Sequence, residues 1–157
     1  MGIRGIMLTA VTLVVASMAH ASEGLQTMVS RYSVEQTMNR LERAVRVAGF
    51  RVFARIDHSR AADRVDIRLR PTQLLIFGKP EAGSVLLQSD QRMGIDLPVK
   101  YLVWLDAQGQ VQVGWNEPAW LGARHGVTDR AAALEGMSNA LRSMAEDATG
   151  AGAALGR

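Results

Sequence analysis

Apolar and polar positions change period several times along the chain, and each change marks an element. Ser33-Val34-Glu35-Gln36 has the form of a capping box, in which the serine hydroxyl accepts from the first helical turn and Gln36 reaches back. Val34, Met38, Leu41, Val45 and Ala48 then recur at steps of four, three, four and three, which is one apolar stripe on a helix. Gly49 supplies the left-handed stop, and Arg40, Arg43 and Arg46 occupy the opposite face. Directly afterwards Phe50, Val52, Ala54 and Ile56 alternate with Arg51, Arg55 and Asp57, the period of a half-buried strand. Leu25 to Tyr32 offers a partner strand ahead of the helix.

Ser59 to Asp66 is polar and predicts a loop or short helical turn, whereas Leu74 to Phe77 is continuously apolar, as in a central strand with both faces covered or nearly so. Pro80, tolerated at a first helical position, and Glu81 beside it predict a short helix to about Asp90. Val99 to Leu105 and Gln110 to Trp115, joined by Asp106-Ala107-Gln108-Gly109, predict a β-hairpin. Asn116 is placed to cap a short helix through Trp120 that ends near Gly126, and Thr128 or Asp129 to cap a last one carrying Leu134, Met137, Leu141, Met144 and Ala148. The order β-α-β-β-(short α)-β-β-α-α predicts an α+β fold with helices packed on an antiparallel or mixed sheet. The tail from Gly150 to Arg157 has nothing to bury and is expected to be disordered.

The first 21 residues change the picture of where this domain works. Arg4 precedes an apolar run from Ile6 to Ala16 and the triplet Ala19-His20-Ala21, the order of a secretory signal peptide cleaved after Ala21. The run is shorter than the roughly 20 apolar residues that span a bilayer, so no stable membrane span is expected after cleavage. The mature chain would run from Ser22 as a single domain, in the periplasm of a bacterium. With no cysteine in the sequence, disulfides, thiolate metal sites and thiol nucleophiles are excluded. Nine arginines against four acids between Arg40 and Arg70 could meet an anionic partner, though helix and strand spacings mix there as on a solvated face. Export makes nucleic acid an unsuitable partner.

No catalytic frame stands out. His58 and His125 could join Asp57 or Asp96 in a two-histidine, carboxylate metal site, but they stand 67 residues apart without ligand spacing. No serine lies in a Gly-x-Ser-x-Gly elbow, and Glu81, Asp96 and Glu117 are ordinary carboxylates. Whether the protein is an enzyme is left open. Trp104, Trp115, Trp120 and Tyr101 cluster in the hairpin region, where Tyr101 and Trp104 must point to opposite faces. Gly78, Lys79 and Gly83 match a phosphate loop only in part, because Pro80 removes one donor, so a tight strand-to-helix turn is expected.

The segments SVEQTMNRLERAVRVAGFRVFARIDH, LRPTQLLIFGKPEAG and IDLPVKYLVWLDAQGQVQVGWNEPAWLGARHGV resemble, in order and spacing, the domain of unknown function 302 family from about Val29 to Val127. The resemblance implies a compact α+β domain, with a homodimer as one assembly open to it, and no settled reaction. Asp57, His58, Arg70, Pro71, Phe77, Gly78, Pro80, Gly83, Asp96, Leu97, Pro98, Asn116, Pro118 and His125 match its pattern, with Lys79 where asparagine is usual and Ser84 where threonine is usual. The expected function is a non-enzymatic module binding a small ligand or a protein, without a cofactor. Its site is expected at Asp57, His58, Arg70, Gly78, Lys79, Asp96 and His125; the alternative is a metal-dependent enzyme or metal-handling protein using His58 and His125.

Overall fold

A computed structural model describes residues 24 to 154, so the expected signal peptide and the last three residues lie outside the described residues. Five strands, β1 (Leu25–Ser30), β2 (Arg51–Asp57), β3 (Thr72–Gly78), β4 (Val99–Leu105) and β5 (Val111–Asn116), form one sheet in the order β1-β5-β4-β3-β2. All neighbours are antiparallel. β1 and β2 therefore run the same way at opposite edges, and helix α1 (Val34–Val47) between them packs over β2, β3 and β4. Helix α5 (Ala131–Thr149) lies beside α1 on that face. This is the expected α+β architecture.

The capping box is present in both directions, with Gln36 N–H donating to Ser33 Oγ at 3.2 Å and Ser33 N–H to Gln36 Oε1 at 3.1 Å. Gly49 follows at φ 78°, a conformation that costs glycine nothing and other residues about 1 kcal/mol or more. Under the two helices the buried face carries Leu75 and Phe77, Tyr101 and Val103, Val113 and Trp115, with Phe77 stacked on Tyr101 at 4.9 Å. The buried Tyr101 hydroxyl donates to the Leu141 carbonyl, and burial pushes its pKa far above the usual phenol range.

A second cluster closes one end of the molecule. Helix α3 (Pro80–Ser89), a 3₁₀ turn (Gln91–Ile95), helix α4 (Pro118–Arg124) and the start of α5 bury Leu86, Met93, Leu121, Val127 and Leu134. Leu97 and Met137 pack against both clusters and join them. Gly122 lets α4 approach α5, because a Cβ there would sit 2.4 Å from Leu134 Cδ1.

Several expectations need correction. β2 carries a bulge between Val52 and Ala54, so Val52 pairs with Phe77 on the buried face while Ala54 and Ile56 pair with Ile76 and Leu74 on the other. The strand is therefore not one continuous alternation. Leu74 to Phe77 lies inside the sheet, but only Leu75 and Phe77 are buried, whereas Leu74 and Ile76 are half-buried on the opposite face. Asn116 ends β5 paired with Leu25, which commits its backbone to the sheet, and Glu117 takes the N-cap of α4. Neither Thr128 nor Asp129 caps α5; Arg130 holds that position without a side-chain bond. The polar stretch after β2 forms helix α2 (His58–Asp63), capped by Asp57, whose Oδ1 accepts from Arg60 N–H at 2.9 Å. Within the presumed tail, Gly150 turns left-handed at φ 77° and Ala151–Ala154 make a 3₁₀ turn.

Candidate functional site

Strand register sorts the sequence-derived residues into two groups at opposite ends of β3. Asp57 pairs with Gln73 near the start of β3, and Arg70 lies just before it, with Arg70 Nε donating to the Leu105 carbonyl at 2.9 Å. Gly78 ends the same strand opposite Arg51, and Lys79 follows. Asp96 precedes β4, whose Val99 pairs with Phe77. Thus Gly78, Lys79, Asp96 and His125 gather at one end, and Asp57, His58 and Arg70 at the other.

At the first end an apolar cleft of about 260 Å³ opens beside α3. Phe50, Val99 and Met137 line it from the core side, Phe53 and Pro98 from the strand ends, and Leu87 from the helix. Three sequence features shape it. Gly78 admits the wall, since a Cβ there would stand only 3.3 Å from the Phe53 ring and 3.4 Å from Pro98 Cβ. The bulge turns Phe53 to this wall. Gly83, inside α3, borders the cleft where a Cβ would meet nothing within 4 Å, so its missing side chain leaves the space open.

Among the described residues, Lys79 is the only formally charged one lining the cleft. It occupies the N-cap of α3 with no side-chain capping bond and takes part in no salt bridge among the described residues. A solvent-exposed ammonium at an apolar mouth is suited to hold an anionic group while carbon packs below. Behind the cleft, His125 Nε2 lies 2.6 Å from Asp96 Oδ2, with both side chains nearly buried, and Arg124 Nη1 is 3.4 Å from Asp96 Oδ1. Lys100 Nζ donates to the Asp96 backbone carbonyl at 2.8 Å; burial lowers its pKa, opposed by the Asp96 charge. The imidazole thus ties α4 to the loop carrying Leu97 and Pro98.

The other end is polar, and its groups facing α1 are internally paired. Because of the bulge, Arg55 faces α1, where its Nη1 donates to Asn39 Oδ1 at 2.6 Å and its Nη2 lies 2.9 Å from Glu35 Oε1. Arg55 also donates to buried Gln73 Oε1 at 3.1 and 2.8 Å, and Gln73 Nε2 donates to Glu35 Oε2 at 3.0 Å. The Gln73 amide and then Arg55 hold the Glu35 carboxyl below its usual range. Hydrogen bonds from Arg60 N–H and the Ser59 hydroxyl do the same for Asp57. His58 is exposed at the start of α2.

Four residues of β3 and two strand spacings separate the histidine-bearing ends, roughly 15 Å at the backbone. Ligand bonds near 2 Å cannot bridge that gap with two imidazoles, so His58 and His125 do not share an ion. Among the described residues no group of three or more His, Asp or Glu side chains is arranged to hold a metal. Sequence reasoning missed Phe50, Phe53, Leu87 and Met137, which reach the cleft from separate elements. Phe53 was the available signal, as a large apolar residue in the polar register of its strand.

A family model described as a domain of unknown function, DUF302, matches residues 26 to 144, extending into α5 beyond the motifs seen in the sequence. The chain is 43% identical over 102 residues to fluoride-specific ion channel FluC 1 of Brucella suis biovar 1 (strain 1330), covering 65% of this chain and 40% of the channel. Fluoride-specific ion channel FluC 2 of Brucella melitensis biotype 1 is likewise 43% identical over 102 residues, 65% of this chain and 38% of that one. The chain therefore spans about two fifths of the length of the curated relatives it matches. A crystal structure of an uncharacterized conserved protein DUF302 from Bacillus stearothermophilus shares the fold at TM-score 0.74 and 17% identity, covering 81% of this chain and 99% of that one. Among the described residues no helix is long and apolar enough to cross a membrane.

Proposed function

Since this chain belongs to the family described as a domain of unknown function, DUF302, we propose that it is an exported, non-enzymatic binding module whose cleft takes a small amphiphilic anion. The carrying observation is the apolar cleft of about 260 Å³ with Lys79 as its one formal charge. The volume falls just below the roughly 300–1,000 Å³ common for small-molecule pockets, which favours a ligand smaller than a drug or nucleotide. Carbon of the ligand packs against Phe50, Phe53 and Leu87, and a carboxylate or similar head meets the Lys79 ammonium and water. The Asp96-His125 pair acts as a brace for the cleft wall, since the histidine nitrogen nearest a carboxylate is already engaged. The leader-like first 21 residues support work outside the cytoplasm. Relatives that carry the matched segment beside a longer stretch, named as ion channels, support work near a membrane.

The test is native mass spectrometry of the protein recovered from the periplasm of an expressing cell, followed by titration with octanoate as a probe. The expected results are a bound small molecule or saturable octanoate binding, and loss of either in G83L, which fills the cleft. An empty protein that ignores octanoate, or a G83L variant that binds as well as the wild type, overturns the reading.

A further inference from the structure

The segment from α2 into β3, Arg64-Val65-Asp66-Ile67-Arg68-Leu69-Arg70, alternates charge and apolar side chain like a half-buried strand, yet it belongs to no sheet. Val65 is 64% exposed, Ile67 60% and Leu69 44%, three large apolar side chains in succession offered to solvent. The base is fastened: Val65 and Ile67 N–H both donate to the Ala62 carbonyl at 3.0 and 3.1 Å, and Asp66 adopts φ 59°. No backbone bond reaches Arg68 or Leu69 from the described residues. Val65 and Ile67 are thus offered to solvent from a fastened turn, and Leu69 from the strand-like stretch that follows it.

Charge surrounds them. Arg60, Arg64, Arg68 and Arg70 are exposed, against Asp63 and Asp66, which leaves a local charge of +2. None of these arginines is in a salt bridge with a described carboxylate. We propose that this turn is a docking surface for a membrane leaflet bearing anionic headgroups, with Val65, Ile67 and Leu69 entering the acyl boundary and the arginines meeting phosphates. Three partly exposed side chains offer on the order of 300 Å² of apolar area, well under the roughly 800 Å² per partner that a stable protein interface buries. A second copy would also bring its own arginines against these. A lipid surface accepts both features, since a few inserted apolar side chains and a basic rim together give reversible binding.

The experiment is co-sedimentation of the full chain, in the processed form it takes in its expressing host, with two kinds of vesicle. One contains phosphatidylglycerol and phosphatidylcholine at one to two, the other phosphatidylcholine alone. The expected result is binding to the first, weakened by high salt. R64S/R68S should bind about 30-fold more weakly, from about fivefold per neutralised arginine. V65S/I67S/L69S, which keeps every charge, should also lose binding. No binding to anionic vesicles overturns the proposal. So does serine-variant binding equal to the wild type, which would mark diffuse charge attraction. A dimer in light scattering that V65S/I67S/L69S dissolves, with no vesicle binding, would assign the turn to a second copy and overturn it as well. All the altered side chains are exposed, and unchanged thermal melts of both variants establish that folding is not the cause.

Discussion

The two ends of the sheet hold similar residues in sequence and opposite situations in space. At the Asp57 end, the inward charge is answered within the protein: Arg55 meets Glu35, Asn39 and Gln73, and Asp57 caps α2. At the Gly78 end, Asp96 and His125 answer each other, but Lys79, at the edge of an apolar cleft, is in no salt bridge among the described residues. An aspartate and a histidine mark each end, so residue type alone does not separate them. What separates them is whether the polar groups facing the helices are consumed by the fold. The first end is a brace and the second leaves one charge and one cavity to spare.

The comparison is open to attack at several points. The largest effect is expected from D96A, which strips the carboxylate from nearly buried His125 and from Arg124; unfolding in urea should show a loss of about 3 kcal/mol, together with loss of octanoate binding. Unchanged stability would mean that the cleft wall does not depend on this pair. R55M should cost about 2 kcal/mol, because the buried Gln73 carbonyl oxygen loses its donor, while octanoate binding stays as in the wild type. A weakened cleft in R55M would erase the division between the two ends.

Acid should weaken the polar end. Glu35 and Asp57 have folded pKa values below their unfolded ones, so the stability they contribute is present above roughly pH 4 and is lost as pH falls through the lowered folded values. Thermal melts against pH should decline in that window, and R55M should decline less because Glu35 loses part of its shift. G83L should raise stability by about 0.5–1 kcal/mol, as a glycine inside a helix gives way to a good helix former with room for its side chain. A destabilised G83L would mean that the cleft is not the open space assigned to it.

Much of the fold was legible because local chemistry dictated it. Ser33 and Gln36 start α1, Pro80 starts α3, and the span of β4 follows from its apolar run. The failures arose where tertiary structure overrode a local signal. Asn116 has the side chain of a cap, but pairing with Leu25 keeps it in β5. The 3₁₀ turn after α3 went unseen although Asp90 signals it, accepting from Arg92 N–H at 2.8 Å with its carboxyl held down to about 2 by the Arg92 side chain. The site was legible as residues and not as a place. Gly78, Lys79 and Asp96 were each singled out, yet which strand ends meet is decided by the pairing of β3 with β4, and the bulge at Phe53 decides which β2 side chains reach each face.

That bulge also explains why the cleft itself was invisible in sequence. Its lining comes from β2, β3, α3, the 3₁₀ turn, β4 and α5 and from the loops between, so no window of the chain contains it. The most direct measurement is therefore calorimetric titration of octanoate into wild type, K79M and G83L side by side. The account predicts saturable one-to-one binding to the wild type, about tenfold weaker binding to K79M through loss of a charge-assisted contact worth about 1.5 kcal/mol, and none to G83L. Equal heats from wild type and G83L would contradict it.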